Sequence, residues 1–406
     1  MTRAGSGLSS NPDSATAARE AIEEAMAEAK IDAASLVFLF ATPGHLSRWP
    51  EVVAAVAEGT GGARVVGCTG FGVMTAQGEI ERTPGISVLA VGGDAPPAAP
   101  FLVEGLGDAP SECGRAIGRA AKKELGDALS HENPPLVVIM PDSYHLQADA
   151  LFEGIHEELG EEAIIVGGGA AEDGSAGKTF QFLDGQMQTN AVSGVVFAGA
   201  PRRFIGISQA YLPVGEPRLI TRAEDNVVWE ISGERAYDAF AEAAGPEWME
   251  NIQFAAMNLF IGIPGDPDKV MLDHGEYIVR PIVGADEERG IIALPTPVKT
   301  GQAITFAKRD GSRAREDLRT MLEKGSRRFG ATEEADARAF GLYFNCAGRG
   351  SSLYGEKEVD AMAIREKMRG LPVAGFFTGS EIAPIGKIDH LHQYSGVLVL
   401  LGEDTA

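Results

Sequence analysis

The sequence lacks the long apolar runs that would carry a chain into or across a membrane. Its start, MTRAGSGLSSNPDSATAARE, contains no apolar core of a signal peptide, and no run approaches the roughly 18 apolar residues that cross a bilayer. We therefore expect a cytoplasmic protein with no membrane partner. With 44% hydrophobic residues among 406, the chain can fill more than one globular core.

Positive charge is also scarce. The chain has 35 Lys and Arg against 58 Asp and Glu, which gives a formal net charge of −23. A field of this sign repels nucleic acid and anionic lipid unless a local basic patch overrides it. The densest basic segment, KRDGSRAREDLRTMLEKGSRR, is interleaved with acids and is typical of a solvated helix face. The composition thus predicts no nucleic-acid partner.

Cysteine is rare, and its spacing carries no metal motif. The three cysteines are Cys68, Cys113 and Cys346, and neither C-x-x-C nor H-E-x-x-H occurs. This pattern favours reduced thiols over disulfides or a zinc site. The phosphate-binding pattern G-x-x-x-x-G-K-[ST] is missing as well, and the glycine clusters do not fit a nucleotide fingerprint. We therefore expect no metal and no cofactor.

What the sequence does contain is a pattern that occurs three times. Each pass runs through a buried strand, an amphipathic helix, a strand ending in glycine, a polar connection and a further strand. The first strands are LVFLF, PLVVIM and FGLYFNC, and the strands ending in glycine are ARVVGCTGFG, AIIVGGGAAEDG and LPVAGFFTGSE. Three such runs in the same order predict repeated strand–helix–strand–strand units.

A region of different character separates the second pass from the third. Residues 206–330 contain the short apolar segments VVWEIS, NLFIGI, EYIVRPIV, GIIAL and AITFAK, divided by Gly, Asp and Pro signals. Short apolar segments divided in this way predict an antiparallel meander. The fold class is therefore α/β (α+β), with mixed, partly antiparallel sheets flanked by helices.

The domain boundaries follow from these patterns. A helix with Asp13 or Ser14 as its N-cap is expected near the start of the chain, behind a flexible leader. A break is expected near QAYLPVGEPRL, where the second pass ends. The predicted parts are the leader and helix at 1–32, one α/β domain at 33–210 and a second at 211–406.

The third pass carries the richest set of polar side chains at its strand ends. One group follows the first strand and another follows the second strand: Asn345, Cys346 and Arg349, then Thr378, Ser380 and Glu381. If the strands are neighbours, the two loops meet at one edge and could recognise the carboxylate and the amino group of a small zwitterion. Equally, Arg349 and Glu381 could pair with each other and tie the loops together.

Glycines at the strand ends add further candidates for ligand binding. Glycine permits positive φ and lets backbone N–H groups approach a ligand, although it is also the usual residue of a tight turn. The candidates are Gly350, Gly375 and Gly379 in the third pass, and Gly67, Thr69 and Gly70, with Cys68 among them, in the first. Arg280 interrupts an apolar strand, and if it points inward it needs an anionic partner from the protein or a ligand.

Cys346 has two interpretations. As a nucleophile it would need a base, which the nearby sequence does not supply, although Arg349 could lower the pKa of its thiol. As a small buried hydrophobe it would only pack.

Several motifs resemble one family. FNCAGRG, LPVAGFFTGSEIAPIG and YSGVLVLL resemble the C-terminal FIST domain (F-box and intracellular signal transduction), and GEPRLITRAEDNVVWEISGERAYDAF resembles the entry to it. Upstream, LVFLFATPGH, VVGCTGFGVMTAQGE and VVIMPDSYH resemble the N-terminal FIST domain. Ser380 stands where the family commonly has another glycine.

The resemblance implies a sensory protein for intracellular signal transduction, of the kind found in bacteria, that binds an amino acid or similar small polar metabolite. It also implies a signalling protein as partner, because the sequence shows no output domain of its own. Two rivals stay open at this point. One is an enzyme that uses Cys346 as nucleophile, and the other is an adaptor that binds proteins and no small ligand.

Overall fold

The computed structural model describes residues 1–130, 133–199, 202–265, 269, 276–329 and 338–403. The chain forms two compact units. The first comprises Met1–Ile207, Leu318–Pro384 and Tyr394–Ala406, and the second comprises Ser208–Asp317 and Ile385–Gln393. In the described part of the chain, no helix combines the length and the apolar character needed to cross a membrane.

The helices are α1 Ser14–Ala29, α2 Trp49–Thr60, α3 Pro110–Leu125, α4 Ala148–Leu159, α5 Ala236–Met249, α6 Ile252–Asn258, α7 Gly311–Phe329, α8 Gly350–Tyr354 and α9 Val359–Lys367. The strands are β1 Thr2–Ser9, β2 Leu36–Ala41, β3 Arg64–Thr69, β4 Gly72–Thr75, β5 Gly78–Glu81, β6 Ile86–Gly93, β7 Ala98–Glu104, β8 Leu136–Pro141, β9 Ile164–Gly168, β10 Gln181–Leu183, β11 Gln186–Gln188, β12 Ala191–Phe197, β13 Arg202–Ser208, β14 Tyr211–Glu224, β15 Val227–Ile231, β16 Glu234–Arg235, β17 Leu259–Pro264, β18 Tyr277–Pro281, β19 Gly284–Asp286, β20 Ile291–Ala293, β21 Ala303–Arg309, β22 Ala339–Cys346, β23 Val373–Thr378, β24 Glu381–Ile385, β25 Ile388–His392 and β26 Gly396–Gly402.

The three predicted passes are confirmed in the first unit. In each pass a helical connection joins two parallel neighbouring strands: β2 and β3, β8 and β9, and, through α8 and α9, β22 and β23. A later strand of the same pass then pairs antiparallel with the first: β6, β12 or β26. The first strands are buried along nearly their whole length, which explains their continuous apolar sequences.

The polar connection of each pass carries its chain into a different sheet. After β3 the chain forms β4, which pairs with β23. After β9 it forms β10, which pairs with β3, and after β23 it forms β24, which pairs with β9. Each of the three sheets therefore contains a strand from another pass. A single core contains Phe40, Met140 and Phe344 from the three first strands.

One glycine in each pass allows the close approach of the parallel strands. A Cβ atom on these glycines would lie within 2 Å of a backbone oxygen on the neighbouring strand, which no larger residue can tolerate. The pairs are Gly67 with the Leu39 oxygen at 1.7 Å, Gly167 with the Ile139 oxygen at 1.9 Å and Gly375 with the Tyr343 oxygen at 1.8 Å. Gly67 and Gly375 are therefore required by the sheets themselves.

The first residues form no flexible leader, which corrects the sequence analysis. Thr2–Ser9 form β1, which pairs along its length with β6. On its outer edge, backbone N–H groups of Ser6 and Leu8 donate to the carboxylates of Glu28 and Glu24 on α1. The helix supplies acceptors that a further strand would otherwise provide, so a polar and glycine-rich segment becomes an ordered edge strand.

The predicted break near residue 210 lies close to Ser208, where the chain first enters the second unit. The assignment of all residues 211–406 to one domain differs from the structure, because residues 318–384 and 394–406 belong to the first unit. The third pass could not complete its core alone, since β4 and β5 of the first pass complete its sheet.

The second unit contains the predicted antiparallel strands, but they do not form a meander, because neighbours such as β14 and β21 are far apart along the chain. Its sheet has the order β18-β17-β21-β14-β15-β20-β19, with β16 paired to β15, and the pairs between these strands are antiparallel. Ile261, Phe306 and Phe240 of α5 lie in its apolar core.

Candidate functional site

The ends of β22 and β23 are neighbours, with Cys346 opposite Thr378. The side chains of consecutive strand residues point to opposite faces, so Asn345 and Cys346 face different environments. Phe344, on the face of Cys346, belongs to the core shared by the three sheets, whereas Tyr343, on the face of Asn345, packs with α9. The strand ends meet at one edge, but the sheet divides their polar side chains between its two faces.

On the face of Cys346, the carboxylate of Glu381 is the centre of a fully buried network. The Thr378 hydroxyl donates to Oε1 at 2.5 Å, and the backbone N–H and hydroxyl of Ser395 donate to Oε2 at 3.0 and 2.7 Å. Burial raises the pKa of Glu381 to about 7, although these hydrogen bonds oppose the rise. We call Cys346, Thr378, Glu381 and Ser395 the glutamate network.

The surroundings of Cys346 do not favour a nucleophile. Its side chain is buried, and the backbone N–H of Tyr394 donates to Sγ at 3.2 Å. Burial and the nearby Glu381 carboxyl raise the pKa of the Cys346 thiol well above its ordinary value. A reactive cysteine needs the opposite environment, in which positive charge stabilises the thiolate.

On the other side of the strand end, Arg349 forms a buried ion pair with Asp360 of α9. Arg349 Nε lies 3.3 Å from Asp360 Oδ2, and neither side chain is exposed. The hydroxyls of Tyr343 and Tyr354 donate to the two carboxylate oxygens at 3.0 and 2.7 Å. Arg349 Nη2 donates to the Tyr354 hydroxyl at 2.6 Å. We call Arg349, Asp360, Tyr343 and Tyr354 the arginine cluster.

The arginine cluster changes one expectation about these loops. Arg349 pairs with Asp360, while Glu381 is held by Thr378 and Ser395, so the suggested pairing of Arg349 with Glu381 is not the one that ties the loops. Asp360 was missed in the sequence, where it appears as an ordinary acid in the first turn of α9. The only available signal was that a buried guanidinium requires an anionic partner.

The hairpin of β4 and β5 fixes the turn that follows Arg349. Glu81 accepts hydrogen bonds from the backbone N–H and the hydroxyl of Ser351, both at 3.0 Å. Gly350 has φ of +53°, and a Cβ there would lie 2.8 Å from the Glu81 carboxylate. Gly350 is thus explained by the turn and by the close approach of Glu81.

Asn345 differs from every other predicted polar residue at this edge. Its side chain is fully buried, and neither its amide oxygen nor its amide nitrogen has a hydrogen-bond partner within the described residues. Buried polar groups are nearly always paired, because an unpaired one loses its hydration without compensation. It lies on the same face of β22 as Tyr343, whose hydroxyl reaches Asp360.

The candidates of the first pass have structural partners. Thr69 exchanges backbone and side-chain hydrogen bonds with Phe180, which leads into β10. Cys68 is buried in the shared core. Gly70 lies at the crossing toward β4, where a Cβ would be 2.5 Å from the Gly72 oxygen.

Gly379 lies at the corresponding crossing toward β24. A Cβ there would be 2.6 Å from the Ser143 hydroxyl oxygen, which is buried and has no hydrogen-bond partner in the described chain. Ser143 was not among the predicted residues. It follows β8 in PDSYH and could have been found as the counterpart of the strand-end residues in the other passes.

Arg280 belongs to the second unit. It lies on β18, where its Nε donates to the Thr296 hydroxyl at 3.2 Å and its Nη1 donates to the Leu391 backbone oxygen at 3.3 Å. Arg280 thus donates hydrogen bonds to neutral oxygens of its own unit.

Two cavities of the first unit lie away from these strand ends. One, of about 220 Å³, is lined at the amino ends of β2 and β3 by Ser35 and Arg64. The other, of about 370 Å³, lies at the carboxyl ends of α3 and α4, beside Gly126 and Gly160. The candidate site rests instead on the polar groups at the end of β22.

Comparison with known proteins shows which family the sequence matches. Residues 35–234 match the FIST N domain and residues 236–384 match the FIST C domain. An uncharacterized protein of Mycobacterium tuberculosis strain H37Rv is 28% identical over 398 residues, covering 98% of this chain and 99% of the relative. An uncharacterized protein of Mycobacterium bovis is 29% identical over 404 residues, covering 99% of each chain.

Proposed function

This chain belongs to the FIST family, whose domains are proposed sensory and signalling domains, and we propose that it senses a small polar metabolite of the amino-acid class. The proposed site lies at the end of β22, on the face of Asn345. Recognition there would use hydrogen bonds to a ligand enclosed by the strand end and by α8 and α9.

The observation that carries this proposal is the unpaired amide of Asn345. An amide can donate two hydrogen bonds and accept two, and this one makes none within the described chain although it is fully buried. Leaving such a group unpaired costs about 1–3 kcal/mol. A ligand that carries both donors and acceptors, as an amino acid does, would recover that cost on binding.

The charged residues at this edge would shape the site and hold the surrounding backbone in place. Asp360 accepts from both tyrosines and from Arg349, so the guanidinium is committed to the protein and forms a fixed wall of the site. On the opposite face, Glu381 holds the turn after β23 against Ser395. These contacts keep the end of β22 rigid, which limits the entropy lost on binding.

The test is a thermal-shift screen of the purified protein against the twenty amino acids, combined with mass spectrometry of small molecules released when the protein is denatured. We expect one or a few amino acids to raise the melting temperature in proportion to the logarithm of concentration above Kd. A flat response across the screen, with no released metabolite, would overturn the proposal.

Signalling also requires something to read the bound state. We therefore include in the proposal a protein partner that distinguishes the liganded from the free form. Capture experiments with and without the amino acid found in the screen test this part. A partner whose yield does not depend on the amino acid would contradict it and would favour a ligand-free adaptor.

A further inference from the structure

Glu79 of β5 extends the arginine cluster with a second acid. Its Oε1 accepts the backbone N–H of Ala361 at 2.8 Å, in the first turn of α9 and directly after Asp360. Its Oε2 is buried and has no hydrogen-bond partner within the described residues. The carboxyl is therefore held firmly by one oxygen, while the other faces the interior unpaired.

The charges of the buried groups do not balance if Glu79 is ionised. Arg349 supplies one positive charge, and Asp360 already neutralises it. A second carboxylate would add an uncompensated charge in a buried place, which is costly. Burial and the charge of Asp360 accordingly raise the pKa of Glu79 to about 8, so the carboxyl is protonated at neutral pH.

Other charged or titratable groups near Glu79 do not supply the missing cation. Glu81 on the same strand adds negative charge, and so does Glu358 at the start of α9, which lies against Gly78. Tyr354 of α8 is a neutral phenol whose pKa is raised by burial. Arg365 of α9 is exposed and donates to the Gln77 oxygen.

We infer that Glu79 binds the ammonium group of the ligand and gives up its own proton in exchange. This rests on the proposed function and names the part of the ligand that the site recognises by charge. On binding, the protonated carboxyl of Glu79 loses its proton to solvent. The resulting carboxylate then pairs with the ammonium group R–NH₃⁺. The paired positions Tyr343–Gly375, Gly375–Met74 and Met74–Glu79 place Glu79 in line with Tyr343, whose hydroxyl donates to Asp360 of the arginine cluster.

The exchange explains why the buried Oε2 of Glu79 lacks a partner within the described residues. An ammonium ion donates three hydrogen bonds and carries the positive charge that the cluster lacks. Uncharged analogues supply no such charge and would leave Glu79 protonated. The chemical class that Glu79 recognises is therefore a small primary amine.

The experiment is calorimetric titration of the full chain with the twenty amino acids and methylammonium, in two buffers of different ionisation enthalpy at about pH 7. N-acetylalanine and sodium chloride are the controls. Close to one proton should be released per amine bound, and Kd should fall about tenfold per pH unit as the pH rises toward the pKa of Glu79. Glu79→Gln should abolish both the release and the pH dependence, whereas Glu104→Gln, the same change at an exposed position of β7, should keep them.

Each part can fail separately. Amine binding without proton release, release that persists in Glu79→Gln, or equal binding of alanine and N-acetylalanine would overturn the exchange and leave the proposed function standing. Proton release by sodium chloride alone would also overturn it. Failure of every amino acid and of methylammonium to bind would overturn both. If Glu79→Gln does not fold, the infrared carbonyl band of a protonated carboxylic acid in the wild type, lost on adding the amine, supports the exchange, and a band that persists contradicts it.

Discussion

Arg349 and Asp360 form an ion pair in which neither side chain is exposed to solvent, with Nε 3.3 Å from Oδ2. The pair joins the loop after β22 to the first turn of α9, and two tyrosine hydroxyls complete the carboxylate's hydrogen bonds. The sequence predicts Arg349 as a ligand contact; in the structure its guanidinium pairs with Asp360, and in the proposed site it would form part of the wall.

Breaking this pair should destabilise the protein severely. Arg349→Met leaves the Asp360 carboxylate buried without its cation, and Asp360→Asn leaves the guanidinium without its anion. Each should lower the free energy of unfolding by about 3–5 kcal/mol. Urea unfolding followed by circular dichroism measures this. In the double variant neither charge is left alone, so its loss should be smaller than the sum of the two single losses; strict additivity would contradict the pairing.

Glu381 should make stability depend on pH. Its pKa is raised from 4.5 to about 7 in the folded state, so the native protein binds a proton that the unfolded chain releases. The stabilisation is complete below about pH 4.5 and is lost as the pH rises to about 7, a change of about 3 kcal/mol. Glu381→Gln should flatten this part of the profile, measured by urea unfolding between pH 4.5 and 8.

Glu79→Gln is the matched comparison for that profile. The pKa of Glu79 is raised to about 8, so its contribution declines over a wider range that extends above pH 7. If the free energies of unfolding of the wild type and Glu381→Gln change in parallel with pH throughout, the pKa of Glu381 is the same in the folded and unfolded states. The raised pKa assigned to Glu381 would then be wrong.

Cys346 should react slowly with alkylating agents. Its thiol is buried, and burial together with Glu381 raises its pKa, so little thiolate is present at neutral pH. Mass spectrometry after iodoacetamide treatment should show labelling only when the protein is unfolded by denaturant. Rapid labelling of Cys346 in the folded protein, with Cys68 and Cys113 unlabelled, would revive the hypothesis of a cysteine-dependent enzyme.

Gly375→Ala should destabilise the first unit. The added Cβ would lie 1.8 Å from the Tyr343 oxygen, and a sheet backbone cannot move away cheaply. We expect a loss of about 3 kcal/mol or more in the free energy of unfolding. Gly284→Ala is the control, because its Cβ meets nothing closer than 3.6 Å. Equal stability of the two variants would refute the assigned role of Gly375.

The repeated passes could be predicted because they depend on local patterns. Buried parallel strands such as β2 and β8 are continuous apolar runs, and the glycines that follow them are visible in the sequence. The exchange of strands among the three sheets could not be predicted in the same way. β4 has four residues and pairs with residues of β23 that lie about 300 positions further along the chain, for which a single sequence gives no signal.

The residues of the candidate site could be predicted only where local patterns place them. Asn345 and Thr378 could be placed at neighbouring strand ends, because parallel strands joined by a helix usually pair side by side. Asp360 and Glu79 were missed, since their contacts depend on how α9 and the β4–β5 hairpin pack. The alternation of strand residues places Asn345 and Cys346 on opposite faces, but the sequence could not show which face meets α9, because that depends on how the helix packs.

The most direct test of the proposed site is calorimetric titration of the best amino acid from the screen into wild type and Asn345→Leu. Leucine has a similar size but no hydrogen-bonding groups, so binding should weaken at least about tenfold, while the free energy of unfolding stays equal or rises because an unpaired amide is removed. Asn226→Leu, which removes an amide that donates to the Leu294 oxygen, is the control and should lose stability but keep full affinity. Unchanged affinity in Asn345→Leu would contradict the account.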